Sequence, residues 1–358
     1  MPNQIKIALD GMGGDRGPRV AVEGAVLAAN QWDYEIVLVG KEDILKKELS
    51  KHRVVAGRIS VVHANEIVGM GEAPVQALKK KKDSSISVAM GLLKARTVDA
   101  FVSAGNTGAM VACATIQLGL LEGLKRAGIA ITYPTVHGIS LIMDVGANIN
   151  ASAEHLLQYA VMADAYARFV LDKKRPTIGL LNIGEEESKG TEVMKEAYKL
   201  LRDCNLNFIG NIEGRDFFTG KADCIICDGF VGNIVLKMCE SILETVVYLF
   251  QREMMAHPIS KFGALLCKPA MQNIRRTTNY EEAGGAPLLG VDGHVIISHG
   301  ASSAKAICSA IKAAGQTVET NINEHIVSSI AELNNGISHK SSESKSLLRE
   351  PRVAKEAS

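Results

Sequence analysis

The feature that most limits the fold is a repeated alternation. A short apolar, often β-branched run meets a glycine-bearing polar loop, and in most instances a stretch with helical spacing follows. Residues 5–9 lead into Asp10-Gly-Met-Gly-Gly-Asp15, and residues 100–102 into Ser103-Ala-Gly-Asn-Thr-Gly108. Residues 139–143 precede Asp144-Val-Gly-Ala-Asn148, residues 177–181 precede a loop reaching Gly190, and residues 224–227 precede Asp228-Gly-Phe-Val-Gly-Asn233. Strands alternating with helices predict an α/β fold, a largely parallel sheet flanked by helices. After Thr191, Met194, Ala197, Leu201 and Cys204 share one helical face while Lys195, Lys199 and Arg202 turn outward. Ligands of open parallel sheets sit beyond the carboxyl ends of the strands. The polar tips are therefore expected to gather along one edge as the active site.

A chain of 358 residues, 47% hydrophobic, is long enough for one large domain. Nothing divides it, so residues 1–333 read as a single α/β catalytic domain with room for two lobes. From 334 to 358 the Ser-, Lys- and Glu-rich composition predicts a disordered tail. A net charge of +1 argues against nucleic acid as a partner. Residues 100–121 carry no charge, but their polar side chains suit a buried strand, loop and helix better than lipid. With no signal-peptide pattern at the start and seven cysteines in no regular framework, a cytoplasmic protein is expected. Cys224 and Cys227 form a lone CxxC in an apolar run, read as two buried strand thiols with no metal.

The glycine loops are the candidate chemistry. Gly11-Met-Gly13 falls short of a dinucleotide fingerprint because Arg16 stands where the third glycine belongs, and no Walker sequence is present. Gly105, Asn106, Thr107 and Gly108 open a predicted helix, a place that suits a phosphate-sized anion. Lys189, in Glu185-Glu-Glu-Ser-Lys189, follows an apolar strand and offers a compact cation. Asp144, Asn148 and Arg215 add polar groups. Asn233 stands as an oxyanion donor or a helix cap, and His299 as a phosphate ligand or a cap. A long helical stretch from Val231 through Met255 leads to Lys261, Lys268, Arg275 and Arg276 around Phe262, Leu265 and Leu266. This predicts a helical hairpin suited to dimer packing, a carrier-protein dock or a membrane-touching tip that includes Met254 and Met255.

Taken together the motifs resemble the bacterial phosphate acyltransferase (PlsX) family. The resemblance rests on residues 10–15, GNTGA at 105–109, DVGAN at 144–148, residues 186–190, EGRD at 213–216, residues 228–233, GGAPLLG at 284–290 and residues 299–302. Gly11 replaces a usual alanine, and Ala301 extends the last segment. The resemblance implies a homodimer with a fold similar to phosphotransacetylases and isocitrate dehydrogenase-like proteins. It implies transfer of a long-chain acyl group from acyl carrier protein to inorganic phosphate without a cofactor. The acyl phosphate would feed a membrane glycerol-3-phosphate acyltransferase, which allows peripheral contact with the inner face of the cell membrane. It also implies that Lys189 and Asn233 are the residues most directly engaged in catalysis.

Overall fold

Eleven strands form one sheet in the computed structural model, which describes residues 4–278 and 284–347, with side chains described for 4–271 and 284–335. The strands are β1 (Lys6–Asp10), β2 (Glu35–Gly40), β3 (Ile59–His63), β4 (Ala100–Ser103), β5 (Gly128–Thr135), β6 (Gly138–Met143), β7 (Ile178–Leu181), β8 (Phe208–Ile212), β9 (Cys224–Ile226), β10 (Ala286–Leu289) and β11 (His294–Ile297). The helices are α1 (Pro18–Gln31), α2 (Glu42–Leu49), α3 (Pro74–Lys80), α4 (Ser85–Lys94), α5 (Thr107–Gln117), α6 (Ala153–Phe169), α7 (Glu192–Asp203), α8 (Gly229–Ala256), α9 (Pro258–Thr278), α10 (Ala304–Glu319) and α11 (Ile322–Leu347). Strands β4, β7 and β9 are buried along their whole length, as expected of strands covered on both faces. Helices begin where hydroxyl or amide side chains satisfy the first free N–H groups: Ser84, Asn106, Ser152, Thr191 and Ser303 each cap one.

The strand order is β3-β2-β1-β4-β11-β10-β5-β6-β9-β7-β8. Most pairings are parallel, but β10 runs antiparallel to both β11 and β5, and β5 antiparallel to β6. These reversals correct the expected single ligand edge. Strands β1, β4 and β11 run one way, while β6, β9 and β7 run the other. Their carboxyl ends nevertheless converge. Ile296 pairs with Val102 on one side and Pro287 on the other, and Leu288 pairs with Ile129. Ala130, the next residue, pairs with Met143, which pairs with Ile226, which pairs with Leu180. Both half-sheets thus terminate at nearly one level, and a cleft opens over the middle strands.

Helices α1 and α10 cover one part of the sheet together with Ile7, Leu9 and Ile36. Helices α6, α7 and α11 cover another around Tyr159, Leu156 and Leu201. The predicted hairpin is present as α8 and α9, which pack on each other. Helix α11 continues past Asn334 to Leu347, so the first part of the expected tail is helical, anchored by buried Ile322, Ile326 and Ile330. Residues 348–358 lie outside the described residues. Residues 100–121 form β4, a loop and α5, and no helix among the described residues is long and apolar enough to cross a membrane.

One half-buried group makes stability sensitive to acid. His294, at the start of β11, is held down to about 4, first by burial and then by the Arg96 guanidinium, against Asp99 and Asp292. An unfolded imidazole titrates near ~6.5, so the unfolded chain takes up the proton first as pH falls. The native state is unaffected above that value and loses about 3 kcal/mol as pH drops toward 4. Urea midpoints measured from pH 7 to pH 4 should therefore fall less steeply in His294→Gln than in the parent; an equal slope removes His294 as the cause.

Candidate active site

The cleft over the middle strands holds a polar cavity of about 140 Å³. Strands β5 and β10 contribute its floor through Ile129, Ile131 and Ala286. Thr107 enters from the loop after β4, Ser298 and His299 from the loop after β11, and Asn233, Lys237 and Glu240 from α8. Asn233, Lys237 and Glu240 stand four and then three residues apart, which places them along one face of the helix.

Helix α8 is anchored with little freedom. Asp228 caps it, accepting from the Phe230 and Val231 N–H groups at 2.9 Å. Asn233 is therefore an interior residue and not the cap. It is exposed, and its side chain makes no hydrogen bond to protein among the described residues. Gly232 lies against the carbonyl of Asp144 so closely that a Cβ there would stand 1.9 Å from that oxygen. Asp144, fully buried, is consumed by the turn it organises. Its Oδ1 accepts from Ile129, Gly146 and Ala147, and its Oδ2 from Asn148 at 2.8 Å. Burial pushes this carboxyl up while the four N–H groups hold it down. Asn148 donates to the Ala127 carbonyl and to Tyr159 Oη. Both residues were expected on the ligand; the structure instead spends them on shaping the loop that seats α8.

Asn106 needs the same correction. Its Oδ1 accepts from the Ala109 N–H, and its Nδ2 donates to the carbonyls of Gly69, Met70 and Glu72. The Gly105 N–H donates to Ser103 Oγ, which donates in turn to buried Asp10. That leaves the N–H groups of Thr107 and Gly108, which have no protein acceptor among the described residues, at the amino end of α5. There the aligned peptide dipoles favour an anion.

Across the cavity, His299 Nδ1 accepts from the Ala301 N–H at 3.2 Å, while Nε2 lies 3.3 Å from Lys237 Nζ. A neutral imidazole has one acceptor nitrogen. With Nδ1 so used, Nε2 carries the proton, and an N–H and an ammonium face each other with no acceptor between them. A phosphate oxygen is such an acceptor. Capping of α10 falls to Ser303, which frees His299 from that role. Lys237 and Glu240 stood out in no sequence motif, whereas Ser298 and Ser302, which hydrogen-bond to each other, belong to a hydroxyl-rich helix start visible there. For the first two, the signal was their spacing from Asn233.

Lys189 and Arg215 do not line the cavity. Lys189 is exposed in the loop after β7 and makes no ion pair among the described residues, while Arg215 pairs with Glu213 at 2.9 Å. Lys261 and Lys268 are exposed on α9; Arg275 and Arg276 belong to the same helix, but their side chains lie outside the described set. Cys224 and Cys227 are fully buried, and burial pushes both thiols well up. Among the described residues no cluster of His, Cys, Asp or Glu could hold a metal ion.

The fatty acid synthesis protein family matches residues 5–325. A phosphate acyltransferase of Dictyoglomus turgidum is 47% identical over 90% of this chain and 97% of its own length. One from Geobacter sulfurreducens is 44% identical over 90% and 93%. Among solved structures, a phosphotransacetylase from Streptococcus pyogenes superposes with a TM-score of 0.60 at 19% identity, over 88% of this chain and 95% of its own. The EutD phosphotransacetylase of Staphylococcus aureus gives 0.56 at 14% identity, over 87% and 94%. These two likenesses speak to the fold, and they agree with the expected α/β architecture.

Proposed function

Because the chain belongs to the fatty acid synthesis protein family, we propose that it transfers a long-chain acyl group from the thioester of acyl carrier protein to inorganic phosphate. The observation that carries this reading is a donor set in a cavity that also receives Asn233: His299 Nε2, Lys237 Nζ, which also serves Glu240, and the Thr107 N–H, which has no protein acceptor among the described residues. Phosphate held there needs positioning more than deprotonation, and good orientation supplies up to roughly 7–11 kcal/mol of the barrier. One phosphate oxygen attacks the thioester carbonyl, whose oxygen becomes an oxyanion stabilised by Asn233 Nδ2. The C–S bond then breaks, the acyl phosphate forms, and the thiolate leaves. A thiol titrating near ~8.5 needs little help from an acid.

Lys189, which does not line the cavity, is in this reading a second cation supplied by the loop after β7. The two lysines separate kinetically. Lys237→Ala should raise KM for phosphate roughly tenfold or more, the worth of a charged hydrogen bond. Lys189→Ala should lower kcat at saturating phosphate. An unchanged KM in the first variant removes Lys237 from phosphate binding, and an unchanged kcat in the second removes Lys189 from catalysis.

The same reading includes a homodimer. Phe230, Ile234, Met238, Ile242, Val246 and Phe250 recur every four residues along α8, each at least 42% exposed. Such an i±4 ridge packs into its own copy in the commonest class of helix crossing. Exposed Lys261 and Lys268, with Arg275 and Arg276 on the same helix, are the proposed dock for an acidic carrier protein. Exposed Phe262, Leu265 and Leu266 are the proposed membrane-touching tip, close to a membrane glycerol-3-phosphate acyltransferase that would consume the product.

A further inference from the structure

Beside the polar cavity lies an apolar one of about 150 Å³, lined by Tyr133, Phe217, Phe218, Leu236, Cys239 and Leu243 among others. The two share Ile131, Leu236 and Glu240 and are therefore contiguous. Glu240 marks their boundary, with Oε2 accepting from Lys237 on the polar side. Past it the lining is built to present carbon. Tyr133 donates its hydroxyl to the Phe217 carbonyl and stacks on the Phe217 ring at 4.2 Å, with Phe218 edge-on at 5.9 Å.

We infer that this apolar cavity receives the hydrocarbon chain of the acyl donor, running along α8 from Asn233 toward Leu243, and that Cys239 and Leu243 set the preferred chain length. The inference rests on the reaction proposed above. Ten residues of helix span ~15 Å, about the length of an extended chain of roughly a dozen carbons joined by ~1.5 Å bonds. The carbonyl would lie at Asn233, in the polar cavity, and the chain would fill the apolar one. This arrangement leaves no charged group facing the chain beyond Glu240.

The test is kcat/KM for carrier-protein thioesters from six to sixteen carbons, in the parent, Leu243→Trp, Leu243→Ala and Cys239→Phe. In the parent, efficiency should climb by up to ~4-fold per added methylene buried and level off near twelve carbons. Leu243→Trp and Cys239→Phe should lower the ratio of twelve-carbon to six-carbon efficiency at least tenfold, and Leu243→Ala should move the plateau to longer chains. Unchanged chain-length profiles in all three variants overturn the inference while leaving the reaction standing. If the parent turns over no thioester, the reaction fails, and the cavity is judged separately by calorimetric binding of laurate. Binding that Leu243→Trp weakens tenfold supports it, and binding indifferent to Leu243→Trp and Cys239→Phe, or absent from the parent, overturns it.

Discussion

Asn233→Ala should lower kcat a hundred- to a thousandfold, the loss of about 3–4 kcal/mol seen when one oxyanion donor is removed, while thermal stability holds or rises slightly. The two signs together identify the role. Asp228 already caps α8, and the Asn233 side chain makes no hydrogen bond to protein among the described residues, so its removal breaks nothing in the fold. Alanine also favours a helix interior over asparagine by a few tenths of a kcal/mol. A lowered melting temperature with kcat intact would make Asn233 a structural residue and leave the oxyanion without its donor.

Gly232→Ala should destabilise the protein by about 3 kcal/mol, the upper range for forcing an atom into a packed interior. Ordinarily this exchange in a helix gains up to ~1 kcal/mol. Here the new Cβ would meet the Asp144 carbonyl at 1.9 Å and Cys227 Sγ at 2.9 Å. That carbonyl cannot step aside, because the Asp144 side chain is pinned by four N–H groups and the residue is fully buried. Helix α8 must move instead, carrying Asn233 and Lys237 with it, so activity falls along with stability. Gly91, inside α4 with open space around its Cβ position, is the control: Gly91→Ala should be neutral or stabilising. Urea denaturation of both variants decides, and a Gly232→Ala protein as stable as its parent would mean that α8 is not seated as described.

Much of this architecture was legible because strand tips and helix starts announce themselves locally. Glycine loops after apolar runs marked β1, β4, β6, β7 and β9; the segments following β4, β6 and β9 contribute Thr107, Val145 and Asn233 to the cavity, and those following β1 and β7 contribute nothing to it. The reversal of half the sheet was not legible. It comes from the antiparallel hairpin of β5 and β6, whose turn at Val136 and His137 carries no glycine-rich signal, while the two antiparallel pairings of β10 cancel. Roles within the loops were equally hidden. Asn106, Asp144 and Asn148 have the polar chemistry of ligand residues, yet buried backbone N–H and C=O groups claim them first. Lys237 and Glu240 went unnoticed because, inside a long amphipathic helix, a lysine and a glutamate read as solvated surface until neighbouring loops close over them. Helix α11 outran its composition since buried Ile322, Ile326 and Ile330 nucleate it, after which extension costs little.

Acyl transfer from a carrier-protein thioester to phosphate can be followed by its product. A direct measurement is acyl-phosphate formation by the 358-residue chain from palmitoyl-acyl carrier protein and inorganic phosphate, with palmitoyl-coenzyme A run in parallel. Product is expected from the carrier-protein thioester, dependent on phosphate, and none from coenzyme A. Product from coenzyme A alone, or from neither donor, would contradict the proposed reaction.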